Sequence, residues 1–215
     1  MATRPAAVWV LAMLVSAPAA AFYDYRVTGV AANDVLNIRK DVAHGGQVSA
    51  APIIGSIPSS ATGVKGTGVT VEVEGSLWRQ VVHGGVVGWV AARYLAASDQ
   101  EGPVSAPVDL TCGGTEPFWS MTFGASRAVR EDPGAGTSVD RITYVPTPPR
   151  FAAGRSHVWS VALRSAGRSP VATAVFIRTD ACSDGMSDFT FPIEFVLTED
   201  GPDGAVLSGC CQLTR

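Results

Sequence analysis

Residues 69–90 read Val69-Thr70-Val71-Glu72-Val73, then Leu77-Trp78-Arg79-Gln80-Val81-Val82, then Val86-Val87-Gly88-Trp89-Val90. β-Branched and aromatic residues are enriched in strands, so each run predicts one strand. Gly84-Gly85 separates the second run from the third. Because glycine tolerates a positive φ, this pair favours a tight hairpin turn. The stretch therefore predicts three strands, the last two joined as a hairpin.

The same pattern continues through the second half of the chain. Further runs rich in Val, Ile and Thr cover residues 157–163, 171–179, 191–198 and 204–213. The chain has 23 Gly and 14 Pro, and turn signals recur between the runs without a helical repeat of apolar residues. Short strands separated by turns predict an all-β fold of barrels or sandwiches.

A composition change near residue 100 divides the chain. Residues 98–107 lack apolar periodicity and contain Gly, Pro and Ser, which is typical of a linker. All four cysteines lie after it. We therefore predict one domain over 22–97 and a second, cysteine-containing domain over 108–215.

The N-terminus has the features of a secretory signal peptide. Arg4 precedes an apolar run over residues 6–15, and Ala19-Ala20-Ala21 ends the segment. We predict cleavage after Ala21. The run is shorter than the roughly 17–25 residues that a spanning helix needs, so stable membrane insertion is not expected. The predicted location is periplasmic or secreted.

The charge disfavours nucleic acid as a partner. The formal net charge is −3, and the only lysines are Lys40 and Lys65. Phosphate binding needs clustered basic side chains, which this composition does not supply. No cofactor motif is present in the sequence, so no cofactor is expected.

The four cysteines predict two disulfides. An even number of cysteines in an exported chain is typical of disulfide pairing. Cys210 and Cys211 are neighbours, and neighbours on a strand face opposite sides. Each should therefore pair with a different distant partner, Cys112 or Cys182, in either order. The cysteines lack the C-x-x-C spacing of zinc sites, so no metal is predicted there.

Residues 27–95 resemble the bacterial SH3 domain family. The residues that carry the resemblance are Val35-Leu36-Asn37-Ile38-Arg39, Ile53-Ile54-Gly55-Ser56-Ile57-Pro58, Trp78-Arg79-Gln80-Val81, Gly88-Trp89-Val90 and Tyr94-Leu95. The resemblance implies an SH3-type small barrel of five to seven strands. It also implies binding of cell-wall peptides, or a position beside enzymes that cut peptidoglycan.

Four residues of this domain form a candidate ligand groove: Asn37, Arg39, Trp78 and Tyr94. The alternative for Trp78 is packing in the barrel core, since buried aromatic residues usually serve packing. For Trp89 we favour the core. Asn37 could instead cap a turn through its side-chain oxygen.

The second domain carries two motifs, Gly114-Thr115-Glu116-Pro117-Phe118-Trp119 and Cys182-Ser183-Asp184-Gly185-Met186-Ser187-Asp188. Together with Gly209-Cys210-Cys211 they resemble a family of bacterial envelope proteins that has no established activity. The resemblance implies a small disulfide-tied β-barrel or sandwich, similar in architecture to secreted lysozyme-inhibitor domains.

Glu116, Trp119, Asp184 and Asp188 are the candidate site residues of this domain. Paired carboxylates could act as acid and base on a glycan, with Trp119 stacking a sugar. We favour a structural role, because Asp beside Gly commonly bonds turn backbone. A calcium site at Asp180, Asp184 and Asp188 is disfavoured, since the spacing is not that of an EF-hand. No catalytic residue is predicted.

The sequence therefore predicts an exported, non-catalytic envelope protein. Its expected partner is peptidoglycan or a wall-associated envelope protein, bound through the SH3-type domain. The alternative is an inhibitor of a wall-degrading hydrolase, and a glycan hydrolase using Glu116 and Asp184 is the least favoured reading.

Overall fold

The computed structural model describes residues 23–42, 51–98, 109–133, 138–165, 170–202 and 204–214. The predicted signal peptide and nearly all of the predicted linker lie outside these residues. The described chain is all-β, as predicted, with sixteen strands and one 3-10 turn at Ala92–Tyr94. None of its helical segments has the length and hydrophobicity to cross a bilayer.

The first seven strands form the N-terminal unit. They are β1 (Tyr23–Val27), β2 (Val35–Arg39), β3 (Ile53–Pro58), β4 (Val64–Val73), β5 (Ser76–His83), β6 (Val86–Ala91) and β7 (Leu95–Ala97). Their hydrogen-bonded order is β7-β1-β4-β5-β6-β2-β3, with every pair antiparallel. Alternate residues of these strands, among them Leu36, Ile38 and Val81, enclose a common apolar core.

The remaining nine strands form the C-terminal unit. They are β8 (Leu110–Thr115), β9 (Phe118–Phe123), β10 (Ala128–Pro133), β11 (Val139–Pro146), β12 (Arg150–Ala152), β13 (Arg155–Ser165), β14 (Pro170–Ser183), β15 (Phe189–Glu199) and β16 (Val206–Leu213). All of these strands except β12 form an up-and-down barrel of eight strands. In this barrel each strand pairs with the strands before and after it in the chain, and β16 pairs with β8 to close the ring. β12 makes a short hairpin with the start of β13.

The interior of the barrel follows from alternation along its strands. Met121, Leu163, Phe195 and Leu197 are fully buried, while their sequence neighbours point outward. Phe176 lies at the centre of the core and contacts the rings of three other aromatic residues at 5.1–5.2 Å. The interior of an eight-stranded barrel is narrow enough for side chains to fill, and these buried side chains form the core of the barrel.

The two units share one sheet. β4 pairs with the start of β15 through Val71↔Phe189 and Thr70↔Thr190. Beside this pairing, Val69, Val71 and Trp89 of the N-terminal unit pack with Phe189 and Phe191 of the barrel. The Trp89 and Phe189 rings stack with centroids 5.3 Å apart. We call this group the inter-unit cluster.

Gly68 allows the two units to approach closely. A Cβ at this position would lie 2.4 Å from Cγ of Pro192, and the backbone φ is +86°. Both observations require glycine, because other residues rarely adopt this φ and their Cβ would collide with the proline. The sequence at 68 is therefore fitted to the neighbouring barrel.

Candidate functional site

Two disulfides are present, and the structure selects one of the two pairings that the sequence left open. Cys112 bonds Cys211, and Cys182 bonds Cys210. Cys112 and Cys211 lie on paired strands inside the barrel, where both are buried. Cys210 faces the other side of β16, as expected for strand neighbours, and ties the end of β14 to the barrel wall. Disulfides are typical of proteins in oxidising compartments.

Asp184 organises the loop between β14 and β15. Its Oδ1 accepts the amide N–H groups of Met186 at 3.0 Å and Ser187 at 2.8 Å, and its Oδ2 accepts the Ser187 hydroxyl at 2.8 Å. Burial opposes ionisation, but these hydrogen bonds outweigh it and hold the pKa of Asp184 below its usual value. The side chain is thus committed to its own loop, which agrees with a structural role.

The two motifs of the second domain meet in space through Thr115. Its hydroxyl donates to the carbonyl oxygen of Asp184 at 2.9 Å. Glu116, which the sequence singled out, is exposed in the β8–β9 turn, and Asp188 is exposed in the loop. The structure therefore brings the turn and the loop together, with Thr115 rather than Glu116 as the contact.

Trp119 is a packing residue. It is 5 % exposed and lies 5.4 Å from the Phe195 ring. A Cβ at Gly114 would lie 2.3 Å from Nε1 of Trp119, so the glycine of the motif makes room for the indole. In this position the indole faces the barrel interior and is not accessible for stacking on a sugar.

Trp78 lies at the edge of the inter-unit cluster. It is partly buried and packs against the group of Val69, Val71 and Trp89, the same group on which Phe189 and Phe191 of the barrel pack. Its backbone pairs with Val71 of β4. Packing is therefore the role that the structure shows for Trp78.

The other predicted groove residues, Tyr94, Arg39 and Asn37, have different surroundings. Tyr94 packs against the core of the N-terminal unit, and the Arg93 guanidinium lies 4.9 Å from its ring centroid. Arg39 donates from Nη1 to the carbonyl oxygen of Ala51 at 2.7 Å. Asn37 is exposed on β2 opposite Ser56 of β3.

The outer side of β2 and β3 remains accessible in the described chain. Val35 and Asn37 of β2 are exposed, as are Pro58 and Ser56 of β3, which lie opposite them in the ladder. β3 is the last strand of its sheet and pairs only with β2 among the described strands. We call these four residues the β2–β3 face. Apolar and hydrogen-bonding side chains alternate on it beside an unpaired strand edge.

A charged cluster lies inside one end of the barrel. Arg130 contacts Glu199 at 2.6 Å and Asp132 at 2.7 Å, and the Tyr144 hydroxyl donates to Glu199 at 2.6 Å. Burial opposes ionisation of Glu199, but the hydrogen bonds and the charge of Arg130 prevail and lower its pKa. Burial and the Glu199 carboxylate raise the pKa of Tyr144. The charged groups of this cluster are therefore paired with one another.

Sequence reasoning missed an opening at the other end of the barrel. A pocket of about 280 Å³ lies where β8 begins and β9 ends, with Phe123 and Trp159 in its wall. Its residues come from five separate segments, so no local motif could have revealed it. The sequence signal nearest to it is the proline-rich stretch Pro146-Thr147-Pro148-Pro149, which forms one side of the pocket.

Among the described residues, no three His, Cys, Asp or Glu side chains cluster as metal ligands would. Comparison with family models, curated proteins and solved structures finds no match.

Proposed function

We propose that the chain is an exported, non-catalytic protein of the bacterial cell envelope that binds peptidoglycan through the β2–β3 face. The proposal takes its partner from the resemblance of residues 27–95 to bacterial SH3 domains, and its location from the signal-peptide pattern and the two disulfides. The observation that carries it is the exposed face itself, which includes Asn37.

The geometry of the β2–β3 face suits a short extended peptide. An unpaired strand edge offers backbone N–H and C=O groups to an added strand. Val35 and Pro58 offer apolar contact, while Asn37 and Ser56 offer hydrogen bonds. Peptidoglycan carries short peptides that could use both kinds of contact. A wall-associated protein with an extended segment is the competing partner.

A non-catalytic role is favoured by what Asp184 does. Its carboxylate accepts three hydrogen bonds within the loop and has a lowered pKa. A glycan hydrolase needs a protonated acid with a raised pKa and a second carboxylate free to act as base or nucleophile. The lowered pKa disfavours Asp184 as the acid, and the hydrogen bonds to both of its oxygens disfavour it as the base or nucleophile.

The test is co-sedimentation of the mature protein with purified sacculi. Wild type should be retained above an unrelated control protein, and Asn37→Glu should lose most of this retention. Thr122→Glu is the matched control, because Thr122 is also exposed on a strand but lies on the barrel. No retention of wild type would overturn the peptidoglycan proposal. Capture of an envelope protein, without sacculi, would assign the face to the competing partner.

One observation favours a second candidate function, inhibition of a wall-degrading hydrolase. The Cys182–Cys210 disulfide and Asp184 hold a loop whose tip, Met186, is 69 % exposed. Rigid loops that present an apolar side chain are suited to blocking an active site, because little entropy is lost on binding. Lysozyme activity should then fall with wild type but not with Met186→Asp, while Asp188→Ala should still inhibit.

A further inference from the structure

The C-terminal barrel differs at its two ends. Glu199 is the last residue of β15 and Asp132 lies near the end of β10, and they form a charged cluster with Arg130 at that end. Phe123 is the last residue of β9, which runs antiparallel to β10, so the pocket it lines lies at the opposite end. The barrel therefore has a charged cluster at one end and an uncharged pocket at the other, which we call the open end.

Aromatic rings form the wall of the open end. Trp159 and Phe176 stack with centroids 5.2 Å apart and an interplanar angle of 8°. Phe123 meets Phe176 edge-on at 5.1 Å. Trp159 and Phe176 are almost wholly buried, so their conformations are fixed by the core. The wall is preformed for an apolar group.

The rim is stiff and its polar groups are occupied. Pro146, Pro148 and Pro149 restrict the backbone on one side. Between them, the Thr147 N–H donates to the carbonyl oxygen of Ala162 at 2.9 Å, and the Thr147 hydroxyl accepts the Ala162 N–H at 3.2 Å. A ligand therefore finds a formed opening, with no need to order a loop.

The lining determines the chemistry of the ligand. All the residues that line the pocket in the described part of the chain are uncharged. A charged group buried there would lose its hydration without a partner, so it is excluded. The volume of about 280 Å³ lies just below the roughly 300–1,000 Å³ of sites for drug-sized ligands. The ligand is therefore small.

We propose that the open end of the barrel binds a small uncharged hydrocarbon group, about the size of one substituted aromatic ring or a short alkyl chain. Eight-stranded up-and-down barrels have an interior wide enough to hold one small ligand. The group enters between Ala125 and the proline rim and packs on Trp159. This site is separate from the β2–β3 face and does not depend on peptidoglycan binding.

The test is titration of the ¹⁵N-labelled mature protein with toluene, 1-octanol and octanoate, followed by NMR. The indole N–H signal of Trp159, assigned with Trp159→Phe, should shift in a saturable manner with at least one probe. Saturation by toluene alone identifies a free aromatic molecule as the ligand class. Saturation by octanol or octanoate identifies an alkyl tail, with the carboxylate of octanoate held outside.

Two variants provide the matched comparison. Ala125→Phe places a ring into the mouth from an exposed position, and we expect affinity to fall by about tenfold or more. Ser126→Phe makes the same change one residue away, outside the pocket lining, and should leave affinity within about twofold. The proposal is overturned if no probe gives a saturable shift of Trp159 in wild type. An equal loss of affinity for the probe in Ala125→Phe and Ser126→Phe would also overturn the proposal.

Discussion

Replacing Phe189 with alanine should weaken the contact between the two units and lower the free energy of unfolding. Phe189 begins β15, pairs with Val71 of β4 and stacks on Trp89 of β6. It therefore contributes both to the shared sheet and to the inter-unit cluster. Its removal leaves Trp89, which is 4 % exposed, without its stacking partner.

The magnitude follows from burial and stacking. A fully buried Phe→Ala change costs about 3–5 kcal/mol, and Phe189 is only partly buried, so about half of this is expected. Loss of an aromatic pair adds about 0.5–1.5 kcal/mol. We expect Phe189→Ala to lower the free energy of unfolding by about 2–4 kcal/mol. In a double-mutant cycle, Trp89→Leu and Phe189→Leu should couple by about 0.5–1.5 kcal/mol.

Urea unfolding followed by circular dichroism measures both quantities. Phe118→Ala is the matched control, because Phe118 is also on a barrel strand but is 58 % exposed. It should cost less than about 1 kcal/mol. Equal costs for Phe189→Ala and Phe118→Ala, or a coupling energy near zero, would refute the reasoning. In that case the units would not be joined through this cluster in solution.

Three further predictions concern the barrel and its loop. Replacing Cys112 and Cys211 by alanine should destabilise the chain by about 4–5 kcal/mol in urea unfolding, since their disulfide closes a 99-residue separation. The pKa of Glu199 is lower in the folded chain than in the unfolded chain, so ionised Glu199 stabilises the fold. This stabilisation is fully present above the ordinary pKa of about 4.3 and is lost as the pH falls through the lowered pKa. Glu199→Gln should therefore flatten the stability profile measured across that acidic range. Asp184→Ala should accelerate amide exchange within residues 184–188, whereas Asp188→Ala should not.

Local patterns predicted the strands and the hairpin turn. Alternation in Leu36-Asn37-Ile38 corresponds to buried, exposed and buried positions on β2. Gly84 and Gly85 both have positive φ at the β5–β6 turn. Such features depend on neighbours in the chain, and a sequence displays them directly.

Contacts between residues far apart in the chain could not be predicted from local sequence patterns. The side chain of Arg130 meets Glu199, 69 residues away, and only the register of the barrel strands brings them together. Trp78 has the same local sequence whether it lines a groove or packs on a neighbouring unit. The pairing of β4 with β15, which brings the second unit beside this region, rests on only two residue pairs, and no local pattern in the sequence indicates it.

The disulfide pairing could be predicted in part from the sequence. Adjacency of Cys210 and Cys211 required distinct partners, which left two pairings. The closed barrel selects one, because β8 pairs with β16 in a register that places Cys112 opposite Cys211. The sequence could not supply that register, since a shift by one residue would exchange the two cysteines.

Chemical-shift mapping with soluble peptidoglycan fragments tests the central claim most directly. The ¹⁵N-labelled mature protein is titrated with purified muropeptides, and the amide signals are followed. We predict saturable shifts concentrated at the amide signals of Val35, Asn37 and Ser56, and absent from the same titration of Asn37→Glu. Saturable shifts confined to the C-terminal barrel, or no saturable shifts at all, would contradict binding of the wall through the β2–β3 face.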